Sequence, residues 1–213
     1  MQRKAKLVKP KGGPTIVNGT IPPKRQTNAA LRPREYLTAD EIERLMKVAA
    51  DGKETGHRDT TMILIAYRHG LRVGELVAVR WDQLDFKQGT FHVRRLKHGR
   101  PSVHTLRGTE LRMLRRLQRE QSPPSPYAFT TKRRTPITAA AFRKQLARIG
   151  QAAEFPFPVH PHMLRHACGF KLANDGHDTR ALQEWMGHRN MQHTALYTEL
   201  TPKRFKSFWQ EED

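Results

Sequence analysis

The chain has 213 residues, 37% of them hydrophobic, which is enough for one good core or a core with a tail. Its 39 Lys+Arg against 20 Asp+Glu leave a formal charge of +19. That imbalance points to a polyanion, with nucleic acid ahead of anionic lipid because no basic amphipathic stretch carries a broad Trp/Phe/Leu face. No apolar run approaches the roughly 20 residues of a membrane span, and no apolar stretch follows the basic N-terminus to make a secretory leader. The single cysteine, Cys168, cannot form an internal disulfide. It reads as a small buried apolar residue in a reducing, cytoplasmic setting.

Residues 1–33 carry Arg3, Lys4, Lys6, Lys9, Lys11, Lys24, Arg25 and Arg32 without an acid, and are broken by Gly12-Gly13-Pro14 and Pro22-Pro23. They read either as a basic flexible arm that touches DNA backbone when bound or as a plain disordered tail. Globular order, the second unit of the chain, spans 34–213. Thr38 and Glu41 form a capping box before a helix with Ile42, Leu45, Met46 and Ala49 on one face, stopped at Gly52. A strongly apolar helix is predicted over 60–69, ended by Gly70, and the turn 70–76 leads into a short helix. The period then changes: 90–96 and 102–106 are predicted strands around Lys97-His98-Gly99-Arg100, a hairpin with a Gly-containing turn. Helices follow at 107–120 and 138–152, separated by a Pro-rich loop at 122–126, then at 161–174, 179–186, 192–199 and 202–210. The expected class is mainly α with a small antiparallel β-sheet, an α+β fold.

Four segments carry chemistry. Arg72, in the turn before a helix, presents a planar guanidinium suited to two phosphate oxygens, with Glu75 one helical turn away to orient it. His162 and Arg165, at i and i+3, share a helix face and can converge on one phosphate, while Met163 and Leu164 face the core. His160, His162 and His166 also invite a zinc reading, but the helix lacks the Glu of the metalloprotease signature and no Asp or Cys cluster completes a site. Gly187 ends a helix and lets His188 turn back toward the preceding elements. Tyr197 is either a core aromatic or a covalent nucleophile, and as a nucleophile its phenol needs help because its pKa is about 10.

Taken together, Tyr36-Leu37-Thr38, Arg95-Leu96-Lys97, His160-Pro161-His162-Met163-Leu164-Arg165-His166, Gly187-His188-Arg189-Asn190 and Tyr197-Thr198 resemble the tyrosine recombinase (phage integrase) family. Within it the chain is most similar to the small invertases of bacterial fimbrial phase variation, over roughly residues 34–209. The resemblance implies the catalytic domain fold of that family and a site-specific recombinase that cuts and rejoins double-stranded DNA through a 3′-phosphotyrosine link, for inversion, integration or excision. It implies Tyr197 as nucleophile, Arg72 and Arg165 on the non-bridging oxygens, His162 as proton acceptor or phosphate ligand, His188 as a further donor, and Glu75 behind them. It also implies Lys97 as the acid for the departing 5′-oxygen, a role that always-charged arginine fills poorly. No cofactor or metal is needed, since arginines supply the electrostatic stabilisation.

Where larger members carry a separate DNA-gripping domain, this chain has only the arm. DNA contact is therefore expected on the basic surface of the catalytic unit. The candidates are Arg94, Arg95 and Arg100 on the hairpin, the arginine-rich helix 107–119, and Lys132, Arg133, Arg134, Arg143, Lys144 and Arg148. Phe205, Phe208 and Trp209 either fold onto their own core or dock on a neighbouring subunit. The expected partners are DNA, further copies of the chain in a tetramer on paired sites, and accessory DNA-bending proteins, with no membrane and a nucleoid-associated bacterial setting. A type IB topoisomerase-like relaxing enzyme, a non-enzymatic DNA-binding regulator and a zinc hydrolase stand as the alternatives.

Overall fold

The computed structural model describes residues 35–96 and 99–199. The N-terminal arm, Lys97 itself and the segment with Phe205, Phe208 and Trp209 lie outside that set. Among the described residues the order is α1 (Ala39–Ala50), α2 (Gly56–Arg68), α3 (Val73–Val77), a 3₁₀ turn (Trp81–Gln83), β1 (Leu84–Asp85), β2 (Thr90–Val93) and β3 (Ser102–Thr105). Then come α4 (Gly108–Glu120), α5 (Ala139–Ala152), α6 (Pro161–Asn174), α7 (Thr179–Met186) and α8 (Gln192–Glu199).

The local signals are realised in the backbone. The Thr38 Oγ1 accepts the Glu41 N–H at 3.3 Å while the Thr38 N–H donates to the Glu41 carboxylate at 2.8 Å, so α1 starts at a reciprocal capping box. Thr138 caps α5 through the Ala141 N–H, and Asp178 caps α7 through the Arg180 and Ala181 N–H groups. Ile42, Leu45 and Ala49 of α1 are buried, as are Met163 and Leu164 of α6 and Cys168 beyond them. Apolar on most sides, α2 is the central helix, packed against α1, α3, α4 and α6.

Two expectations need correction, and the expected small antiparallel sheet gains a strand. Helix α2 begins at Gly56, four residues earlier than the apolar run suggests, because Thr55 and the polar first turn satisfy each other through a Thr55 hydroxyl to Asp59 carboxylate bond of 2.7 Å. Strand β2 stops at Val93, leaving Arg94 and Arg95 outside the ladder, since Arg95 turns inward. The sheet is also three-stranded, in order β1-β2-β3 and antiparallel throughout. A two-residue β1 pairs Leu84 with Phe91, too short to announce itself by alternation. Cross-strand partners Phe91–His104 and Val93–Ser102 set the β2–β3 register.

Two clusters of buried side chains result. The larger runs from α1 through the sheet to α5 and the first half of α6. A smaller one joins Cys168, Phe170, Ala173, Leu182, Met186 and Tyr197, with Tyr36, Tyr67 and Trp185 against it. The site described next lies along the smaller cluster. No helix among the described residues is long and apolar enough to cross a membrane.

Candidate active site

The turn between α2 and α3 is built on Gly70, whose φ of +56° a side-chain-bearing residue adopts only at a cost. It delivers Arg72 to the N-cap of α3. There Glu75, on the first turn, accepts the Arg72 backbone N–H at 3.0 Å and its Nη1 at 2.8 Å. The same carboxylate accepts Arg95 Nη1 at 3.0 Å and the Leu96 backbone N–H at 3.1 Å. Burial would raise the Glu75 pKa. The Arg72 N–H bond and the charges of Arg95 and Arg72 outweigh it and hold the carboxyl below its ordinary range. Glu75 is therefore an anion that fixes two guanidinium groups and the chain leading to residue 97.

Arg95 was expected on a DNA-facing surface, and the structure places it inside. Its side chain is 0% exposed, and beyond Glu75 it donates to the carbonyls of His69, Gly70 and Trp185. A buried arginine without the Glu75 charge would be prohibitive, so the pair forms one internal bracket between the strand end, the α2–α3 turn and α7. Its inward course is encoded by glycines: a β-carbon on Gly187 would meet Arg95 Nε at 2.7 Å, and one on Gly99 would meet Arg95 Cβ at 2.7 Å.

Helix α6 supplies Arg165, 2% exposed, which donates to the Gly70 carbonyl and, at 2.8 Å through Nη2, to the Met186 carbonyl. It thus ties the Arg72 turn to the end of α7. Burial, then the adjacent Arg72 and Arg95 charges, lowers its pKa to about 10, so it stays a cation at neutral pH. His162, one turn earlier on the helix, is exposed. Partial desolvation, then the Arg165 and Arg72 charges, keeps its pKa below the ordinary value.

Gly187 closes α7 in the left-handed region, φ +63°, and the chain reverses to bury His188. The His188 Nδ1 pairs with the Thr194 hydroxyl at 2.9 Å, and its ring lies parallel to Tyr197 with centroids 6.2 Å apart. Tyr197 on α8 is 2% exposed, and its hydroxyl pairs with His166 Nδ1 at 3.0 Å. Burial, in spite of the opposing Arg165 charge, pushes the phenol up to about 12, whereas burial and the His162 and Arg165 charges push His166 down to about 4. At neutral pH the phenol is protonated and the imidazole is free to accept.

The structure therefore brings together Arg72, Glu75, Arg165, His188 and Tyr197, with His162 at the exposed rim. It adds His166, Gly169 and Arg95, to which the sequence reading gave other roles or none. His166 was visible as the second histidine on α6, one turn after His162 on the same face. Gly169 left no signal, because only the packed Tyr197 ring explains it. Of the other DNA-contact candidates, Arg94, Arg100, Arg133, Arg134, Arg143 and Lys144 are all exposed. Lys132, also exposed, pairs with Glu54.

A model of the Phage integrase family matches residues 35–204. The crystal structure of the XerH site-specific recombinase bound to a palindromic difH substrate, a post-cleavage complex, superposes with a TM-score of 0.69 at 21% identity, over 81% of this chain and 51% of that one. The fold is thus that of a tyrosine recombinase catalytic domain. Type 1 fimbriae regulatory protein FimE of Escherichia coli K12 is 37% identical over 182 residues, covering 83% of this chain and 91% of FimE. Tyrosine recombinase XerC of Bacillus subtilis is 28% identical over 180 residues, covering 81% of this chain and 59% of XerC. The chain belongs to the phage integrase family, and it spans nine-tenths of FimE but about three-fifths or less of the Xer-type relatives.

Proposed function

We propose that the protein is a tyrosine-type site-specific DNA recombinase, with Tyr197 as the nucleophile. The observation that carries this reading is the Tyr197 hydroxyl held 3.0 Å from a neutral histidine, beside buried Arg165 and within the field of Arg72. In the cleavage step a bond forms between the Tyr197 oxygen and phosphorus while the bond from phosphorus to the 5′-oxygen breaks. The phenol proton passes to imidazole, with His166 the group in contact and His162 at the rim. A phenol raised to about 12 is not ionised in advance, so the proton leaves as the new bond forms. Arg72, Arg165 and His188 stabilise the charge that accumulates on the phosphoryl oxygens, one such donor typically contributing about 3–4 kcal/mol. Lys97 protonates the departing 5′-oxygen. Rejoining reverses each transfer, with a 5′-hydroxyl as attacker, and the phosphotyrosine bond conserves the energy so that no nucleotide cofactor is consumed.

Double-stranded DNA is the substrate, held by the exposed basic residues Arg94, Arg100, Arg133, Arg134, Arg143 and Lys144 and by the N-terminal arm. Inversion between paired sites in a bacterial cytoplasm is the outcome favoured by the similarity to FimE along nearly its whole length. A tetramer on those sites and DNA-bending partners belong to the same reading.

The test is covalent capture. The protein is incubated with a library of nicked duplexes of random sequence, and DNA linked to protein is recovered from a denaturing gel and sequenced. Wild type is expected to yield adducts that converge on one site, and Tyr197→Phe none. Adducts that survive the Phe substitution would overturn the assignment.

A further inference from the structure

His188 is 7% exposed, and among the described residues its side chain makes one hydrogen bond, a 2.9 Å contact between Nδ1 and the Thr194 hydroxyl. Thr194 is 0% exposed, and among the described residues its hydroxyl has no other partner. Burial, then the Arg165 and Arg72 charges, lowers His188 to about 3. The ring is therefore neutral at pH 7 and carries its one proton on either Nδ1 or Nε2. The two arrangements differ in what they leave unpaired. With the proton on Nδ1, the ring donates to Thr194, and both the Thr194 O–H and the Nε2 lone pair lack partners. With the proton on Nε2, the Thr194 O–H donates to Nδ1, and the Nε2 N–H alone is left. An unpaired hydroxyl on a fully enclosed residue is the costlier loss, since no water reaches it. Thr194 therefore donates, and His188 holds its proton on Nε2, across the ring.

The backbone around this ring is fixed independently. The His188 N–H donates to the Gln183 carbonyl at 3.0 Å, and Gln183 Nε2 donates to the His188 carbonyl at 3.1 Å and to that of Arg189 at 3.3 Å. What remains free is rotation of the imidazole, and the Thr194 contact sets it. Thr194 comes from α8, three residues before Tyr197 and so on the same side of that helix. Helix α8 packs on α6 and α7, so the hydroxyl that orients His188 and the ring of Tyr197 arrive on one element. His188 also lies in the field of Arg165 and Arg72, the two groups proposed to hold the phosphoryl oxygens. A third cation there would repel its neighbours, whereas a neutral N–H donates without adding charge.

We infer that Thr194 is a positioning residue for the phosphate contact, holding His188 in the tautomer that offers its Nε2 N–H to a phosphoryl oxygen. This rests on the proposed reading of His188 as a donor to that oxygen. Thr194 touches no reacting atom, and no proton passes between the two side chains. Because the hydroxyl rides on the helix of the nucleophile, His188 is set as a donor only while α8 is seated. Stabilisation of the transition state is thereby tied to the placement of Tyr197.

The test takes two readouts on the full chain. Long-range proton–nitrogen correlation spectra of histidine-labelled protein report which ring nitrogen bears the proton, with the His188 signals identified by their loss in His188→Ala. Single-turnover adduct formation on the nicked duplex recovered by covalent capture is measured for wild type, Thr194→Val, Thr194→Ser and His188→Ala, with circular dichroism to confirm folding. Wild-type His188 is expected to be protonated on Nε2 alone, and a proton on Nδ1 would overturn the inference. Thr194→Val, which keeps the shape and removes the hydroxyl, is expected to let the two tautomers exchange and to lose about tenfold in rate, a part of the roughly hundredfold loss expected for His188→Ala. Thr194→Ser, which keeps the hydroxyl, is expected to show the wild-type spectrum and to stay within about threefold of the wild-type rate. A slow Thr194→Val with the wild-type spectrum marks a packing defect and overturns the inference, as does a changed spectrum at the wild-type rate. Should the Val variant not fold, Thr194→Ala is read in its place on the same criteria. If His188→Ala reacts at the wild-type rate, the reading of His188 as a phosphate donor falls and the inference with it. If His188→Ala is slow and Thr194→Val is not, the inference alone falls.

Discussion

A β-carbon built on Gly169 would lie 2.6 Å from Cε2 and Cζ of the Tyr197 ring, well inside van der Waals contact. The ring is buried on its other sides, edge-on to Phe170 at 5.2 Å and parallel to His188 at 6.2 Å, so it cannot yield by a small rotation. A single methyl on α6 must push the Tyr197 ring off its seat or push α8 off α6. Gly169→Ala is accordingly expected to abolish covalent adduct formation while changing DNA affinity less than about threefold, since the exposed basic residues proposed to hold phosphate are elsewhere. Electrophoretic mobility shift and the denaturing-gel assay on the same preparation check this, and wild-type adduct yield from the alanine variant would show that the ring is not confined there. The same closeness explains the protonation states: a phenol enclosed by helix and rings is raised to about 12, and its neighbour His166 is lowered to about 4, so each group is in the state the proposed proton transfer needs.

The elements that carry the site were mostly legible before any coordinates. Thr38/Glu41, Gly70, Thr138, Asp178 and Gly187 mark helix ends through backbone chemistry that acts over a few residues, and α6, α7 and α8 fall on the ranges the periodicity gives. What was not legible depends on contacts across long separations. Arg95 reads as one more basic residue on a hairpin, and nothing local reveals that Glu75, twenty residues earlier, and the Trp185 carbonyl, ninety residues later, draw it inward. The 3.0 Å contact between His69 Nδ1 and His104 Nδ1 has no local signature either, as both residues sit in apolar stretches. Gly187 shows both levels at once. Its φ of +63° is the ordinary requirement of a helix C-terminus, but a β-carbon there would also strike Arg95 Nε at 2.7 Å. Gly187→Ala should cost about 1–2 kcal/mol for the left-handed backbone alone, and it should displace the Glu75–Arg95 bracket as well. Urea denaturation of Gly187→Ala beside Gly176→Ala separates the two costs. Gly176 also has positive φ, +83°, but nothing lies within 4 Å of its added carbon, so the Gly187 variant should lose clearly more stability and nearly all cleavage.

Over the whole molecule the charge of +19 sets how DNA is held. Each phosphate neutralised by a side chain adds about 0.9 to the slope of log affinity against log salt. Replacing Arg133, Arg134, Arg143 and Lys144 together by glutamine is expected to flatten that slope by up to about 3.6, read by fluorescence anisotropy from low to moderate salt. An unchanged slope would remove this surface from the DNA interface and leave the hairpin and arm to carry it.

Charge is distributed differently inside, and it makes the fold sensitive to acid. His104, His166 and His188 are held near 2, 4 and 3 respectively, in each case first by burial and then by neighbouring positive groups. Unfolded, each would titrate near 6.5. Below that value the unfolded chain takes up protons that the folded chain refuses, so stability must fall as pH falls, by about 1.4 kcal/mol per pH unit for each histidine, until the folded values are reached. Glu75 and Glu110, whose folded pKa values are depressed, act in the same direction but only below the ordinary carboxylate range near 4.5. The window from pH 6.5 to about 5 therefore belongs to the histidines. Urea midpoints measured at half-unit steps from pH 7.5 to 5 are expected to stay level above about 7 and then drop ever more steeply, approaching three protons' worth of slope. His104→Asn should remove about one proton from it, because an amide does not titrate. A midpoint that stays constant down to pH 5 would mean that water or rearrangement reaches these rings, and that the buried site is looser than its geometry.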